Sequence, residues 1–118
     1  MKKEYEIWQR GRLLADHIRK AETFPSRFRG LMSKDGLSEG EGLLLVHCGS
    51  IHCFFMRFTI DVIYLDKNMV VIAKETVRPW HIGGIYGSAK HVLELAEGKG
   101  QTFRIGEPIE VTEREDKS

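Results

Sequence analysis

The 118-residue chain has little cysteine and little proline, two and three residues respectively, and no apolar run that approaches a membrane span of ~18 residues. Two cysteines are too few for a disulfide scaffold, and the missing apolar run excludes a transmembrane helix. The start, Met1 to Trp8, carries charge but no apolar stretch behind it, so no secretory signal is expected. A cytoplasmic location with reduced thiols is the resulting expectation. Repeats and low-complexity segments are also missing. What is present, 42% apolar and 30% charged residues, is the composition of an ordinary globular protein. A single globular domain is expected over residues 1–112, with 113–118 a polar, frayed tail.

Net charge is only +1, but it is unevenly spread. Residues 1–34 hold nine Lys/Arg against four Asp/Glu, and the remainder nine against thirteen. A basic N-terminal third could meet nucleic acid. The charges are interspersed with acids and form no run, so a solvated face is the preferred reading and nucleic acid is not the expected partner.

Hydrophobic patterning gives many short strands. Tyr5 to Trp8 and Leu13 to Ile18 flank Gly11 and predict a hairpin. Phe24, Phe28, Leu31 and Met32, behind Thr23 and Pro25, predict a short helix. Leu43 to Val46 is an apolar run of buried-strand length. Ile60 to Leu65 and Met69 to Ala73 flank Asp66-Lys67-Asn68, good turn chemistry. Val92 to Leu95 and Ile109 to Thr112 add two strands. The pattern predicts an α+β fold: a compact β-rich domain, with a mixed or partly closed barrel-like sheet and one or two short helices.

The chemical motifs are sparse. Gly83-Gly84-Ile85-Tyr86-Gly87-Ser88-Ala89-Lys90 lacks the contiguous Gly-Lys-Ser/Thr and the following helix of a phosphate loop. His47, Cys48, His52 and Cys53 crowd into one seven-residue stretch with no second ligand pair elsewhere, so no metal and no cofactor is expected. Catalysis by a cysteine would need a histidine brought to it by the fold, and buried inert thiols are the simpler reading. Asp61 shares a strand face with Ile63 and Leu65, where an unpartnered carboxylate would be costly. Arg29, Arg57 or, second, His52 are its expected partners. Trp80, beside Pro79 at a strand end, is expected as a core plug, a ligand platform, or both.

The residues Arg29-Gly30-Leu31-Met32, Glu41 to Leu44, Ser50-Ile51-His52, Phe54 to Phe58, Ile60-Asp61 and Tyr64-Leu65-Asp66 together resemble the prokaryotic family called domain of unknown function 192. Pro79-Trp80, Val92 to Leu95 and Ile105-Gly106-Glu107 continue the match in order. The resemblance implies a β-rich α+β domain without an established activity, and recurring polar positions at Arg29, Ser50, His52, Arg57, Asp61 and Glu94. Cys48 and Cys53 fall where the family varies, which lowers any thiol or metal reading further.

Three functions stay open at this stage. The preferred one is a noncatalytic module that binds a small molecule or a protein partner through a pocket drawn from Arg29, Ser50, His52, Arg57, Asp61, Trp80 and Glu94. The alternative is an enzyme in which Asp61 orients His52 as a base. The third is nucleic-acid binding through the basic N-terminal third. No nucleophile, metal or cofactor motif accompanies His52 and Asp61, which favours the first.

Overall fold

The computed structural model describes residues 3–21, 36–49 and 58–115. The hairpin expected around Gly11 is there: β1 (Tyr5–Gln9) and β2 (Arg12–Ala21) join through Arg10 and Gly11, with φ of 54° and 75°. Two left-handed residues in a two-residue loop match the right-handed twist of the strands they connect. The second expected hairpin joins β4 (Ile60–Leu65) to β5 (Val71–Val77). Here Asp66 Oδ1 accepts the amides of Asn68 at 2.8 Å and Val70 at 3.0 Å, so one side chain closes the turn.

With β3 (Glu41–Leu45), β6 (His91–Ala96) and β7 (Glu110–Glu113), these strands form a seven-stranded sheet in the order β5-β4-β6-β3-β2-β1-β7. Neighbours are antiparallel except β2 and β3, so the sheet is mixed. It is open in its strand pairing. At one corner its edges are stitched: Val70 bridges Pro108, Gly106 N donates to Val71 O at 2.7 Å, and Ile109 N to Met69 O at 2.9 Å. The expected barrel-like closure is therefore limited to this corner.

Continuous apolar runs in β3 and β4 reflect cover on both faces, since all six residues of β4 are buried. Alternation sends Ile60, Val62 and Tyr64 to one face with Leu43, Leu45, Val77 and Val92. Ile63 and Leu65 go to the other, with Leu44, Leu93, Leu95, Ile7, Ile18 and Phe103. These are called here the Tyr64 face and the Phe103 face.

Among the described residues the only helical element is the 3-10 turn Lys99–Thr102, and the helix expected over 23–32 lies outside them. Glu113, assigned to a frayed tail, ends β7, and Arg114 is anchored through its amide to Glu4 O at 2.8 Å and its Nη1 to Asp16 O at 3.2 Å. Backbone pairing across from β1 outweighs the polarity of these side chains.

Gly42 tests the register at the sheet centre. A Cβ there would lie 2.4 Å from Glu94 O and 2.9 Å from both Ile18 Cδ1 and Leu95 Cδ2. Gly42→Ala should cost ~1–3 kcal/mol through overpacking, read by thermal unfolding. Gly87→Ala, with nothing within 4 Å of its Cβ, should stay within about 0.5 kcal/mol of the parent. Equal stabilities would show that β3 and β6 do not meet in this register.

Candidate ligand-binding site

The register of β4 against β6 separates the acids that the sequence grouped together, since Asp61 pairs with Leu95 and Glu94 with Val62. Asp61 lies on the Phe103 face with 5% exposure. Its Oδ1 accepts the Thr76 hydroxyl at 2.8 Å, and its Oδ2 accepts the amides of Gly98 at 3.0 Å and Gly100 at 2.8 Å. Among the described residues its donors are thus a hydroxyl and two backbone amides, not a guanidinium. Arg29 and Arg57 lie outside those residues. Lys74 completes the arrangement, donating from Nζ to Gly100 O at 3.2 Å and Phe103 O at 2.8 Å. Gly100 has to be glycine, because a Cβ would come 2.9 Å from the Asp61 carboxylate. Among the described residues these bonds account for the burial of Asp61. His52 itself lies outside the described residues, as does Ser50.

Glu94 occupies the opposite face. It pairs across to Leu43 in β3 and to Val62 in β4, and Val62 in turn pairs with Glu75 in β5. One row across the Tyr64 face therefore reads Glu75, Val62, Glu94, with the two acids two strands and about 9–10 Å apart at the backbone. Glu94 is 5% exposed, and burial pushes its carboxyl up to about 8. At neutral pH it is largely a protonated acid that can donate a hydrogen bond. Glu75 is held differently: its Oε2 accepts the Tyr64 hydroxyl and the Gly84 amide, both at 2.6 Å. Tyr64 also packs its ring on Tyr86, centroids 4.6 Å apart.

Trp80 belongs to the loop that Gly84 and Tyr86 anchor to this face. His81 N donates to Arg78 O at 3.1 Å, closing a turn with Pro79 and Trp80 at its centre. Trp80 has φ of 67°, and proline followed by a left-handed residue is the form of a type II turn. That position favours glycine, and a bulky side chain there costs roughly 1–2 kcal/mol. Trp80 is 60% exposed, so it is not the core plug that its size suggested. Ile82, Ile85 and Tyr86 follow, and all three are exposed.

Of the sequence-derived candidates, then, Glu94 lies on the Tyr64 face, Trp80 in a loop anchored to that face through Gly84 and Tyr86, and Asp61 on the Phe103 face. Thr76, Gly98, Gly100, Tyr64 and Glu75 were not anticipated. Two signals were available: glycines at 98 and 100 directly after a strand, and an acid at 75 interrupting an apolar one. In the His47 region, His91 Nδ1 accepts the His47 amide at 3.1 Å, and the His91 ring is held below its usual pKa by burial and then by His47. No helix of the described residues is long and apolar enough to cross a membrane.

Comparison with known proteins places this geometry. The family model DUF192, described as uncharacterized ACR, matches residues 6–112. A UPF0127 protein of Thermococcus gammatolerans is 36% identical over 117 residues, covering 92% of this chain and 76% of that protein. A second, from Thermococcus sibiricus, is 34% identical over 93 residues, covering 75% of this chain and 60% of its own length. Among solved structures, a protein of unknown function from Novosphingobium aromaticivorans superposes with a TM-score of 0.77 at 16% identity, covering 90% of this chain and 82% of that one. A putative transcription regulator from Sinorhizobium meliloti gives 0.74 at 18%, covering 94% of each. At such identities these structures share the fold.

Two measurements test the two faces. Asp61→Asn removes the charge that three donors converge on and should cost ~1.5–3 kcal/mol, read by denaturant unfolding. Additivity with Thr76→Val would detach Asp61 from its hydroxyl partner. For Glu94 the folded pKa of about 8 exceeds the unfolded value of 4.5, so its contribution is fully present below pH 4.5 and is lost as pH rises toward 8. Glu94→Gln should remove a fall in stability of up to ~1.4 kcal/mol per pH unit in that window. A parent and variant whose stabilities run parallel from pH 5 to 8 would mean that Glu94 titrates normally.

Proposed function

The chain belongs to the DUF192 family of uncharacterized proteins, and from that premise we propose that it is a noncatalytic module that binds a small ligand or a protein partner. The site is the Trp80 turn together with the Glu75–Glu94 row of the adjoining sheet face. The observation that carries this reading is the backbone of Trp80: a large aromatic residue held, largely exposed, at a turn position where glycine would be the low-cost choice. Local strain of this kind persists where it serves a function. An indole presented this way offers exposed apolar surface, and Ile82 and Ile85 widen the apolar area of the same loop.

The test is Trp80→Gly, examined by thermal shift against a small-molecule and peptide screen. A ligand at 100 times its dissociation constant stabilises the parent by ~2.7 kcal/mol. The variant should keep its own stability within about 1 kcal/mol, because relief of the turn offsets the lost side chain, and should lose the ligand response. A loss of ~3 kcal/mol or more without ligand would make Trp80 a packing residue. Retained ligand response would move the site elsewhere.

A further inference from the structure

The β1–β2 hairpin and the end of the 3-10 turn with the residues after it line a surface cleft of about 260 Å³. Gln9, Arg10, Arg12, Leu14, Thr102 and Arg104 line it. Three arginines are thus gathered at one small cleft, and among the described residues the ion pair they make is Arg10 to Glu107 at 3.5 Å. Like charges gathered in this way are relieved by a bound counter-charge.

The cleft is also built on a rigid base. Gln9 is buried, and its side-chain amide is fully used: Nε2 donates to Arg104 O at 2.9 Å and Glu107 O at 3.0 Å, and Oε1 accepts the Arg104 amide at 2.8 Å. This clamp holds the Arg104 backbone against the hairpin, so the guanidinium starts from a fixed point rather than a free loop. The Thr102 hydroxyl donates to Lys99 O at 2.9 Å, which leaves the arginines as the donors facing the cleft. Arginine presents parallel N–H pairs that match the oxygens of a phosphoryl group.

We propose that this cleft is a binding site for a small phosphoryl anion, a phosphate monoester or diphosphate, separate from the Trp80 site. The volume suits one or two phosphoryl groups. The interspersed acids along the N-terminal third make a long polyanion a poorer fit than a compact one.

The intact chain is titrated with inorganic phosphate and with pyrophosphate at low salt, followed by calorimetry and by 1H–15N spectra of the Arg104 amide and the Gln9 side-chain amide. Saturable one-to-one binding is expected, tighter for pyrophosphate and weakened by added salt. Arg12→Gln and Arg104→Gln, both at exposed positions, should each weaken it by about tenfold or more, and Arg104→Lys less than Arg104→Gln because charge is kept while the fork is lost. The same spectra establish that each variant is folded. Lack of saturation, or equal binding by the parent and the Arg12→Gln/Arg104→Gln double variant, would overturn the proposal. Tighter binding of a short single-stranded oligonucleotide, with shifts spreading to Arg19 and Lys20, would replace it with a nucleic-acid surface.

Discussion

The Asp61 carboxylate is the constraint on which much of this protein's geometry depends. It sits on the strand with both faces covered, and three donors reach it from two other parts of the chain. Among the described residues those donors are what lets a carboxylate rest among Ile63, Leu65 and Leu95 at tolerable cost. In return they fix where the chain goes after β6. Gly98 and Gly100 are pinned to β4, Lys74 of β5 takes the carbonyls of Gly100 and Phe103, and Phe103 enters the core fully buried. Arg104 follows immediately, and Gln9 of β1 receives it. A polar network thus links the first strand to the last turn through the middle of the sheet.

The two faces divide the work. On the Phe103 face, polar side chains serve the fold: Asp61, Thr76 and Lys74 are satisfied by backbone groups and by one another. On the Tyr64 face, the polar groups are less reconciled with their surroundings. Glu94 is buried at the expense of its charge, and Trp80 occupies a conformation that its side chain disfavours. Local rules are broken on one side of the sheet, and proteins retain such violations at sites of function. The pleat of β4 puts Asp61 on the Phe103 face.

The same network bears on the arginine cleft. Its floor is set by Leu14 and Gln9 of the hairpin, and its far wall by residues that the Asp61 turn delivers. Since Arg10 and Arg12 come from the basic N-terminal third and Arg104 from the acidic remainder, the charge asymmetry of the sequence is only part of the cleft's origin. The third guanidinium arrives through tertiary contacts.

The sequence by itself determined most of the strands, because β-branched runs, alternation and turn residues are local. Gly11 and Asp66-Lys67-Asn68 marked both hairpins, and the period of two placed Asp61 beside Ile63 and Leu65 and therefore in the interior. It also identified Glu94 and Trp80 as residues of interest. It did not name the partners of Asp61, because backbone amides carry no side-chain signature and the donors lie 37 and 39 residues away. Nor could it place Asp61 and Glu94 on opposite faces, since that depends on the register of β4 against β6. Trp80 looked like a core residue because size predicts burial, and only the turn at Pro79 turned it outward. The grouping of side chains into sites was decided by strand register and turn geometry, which act between distant segments.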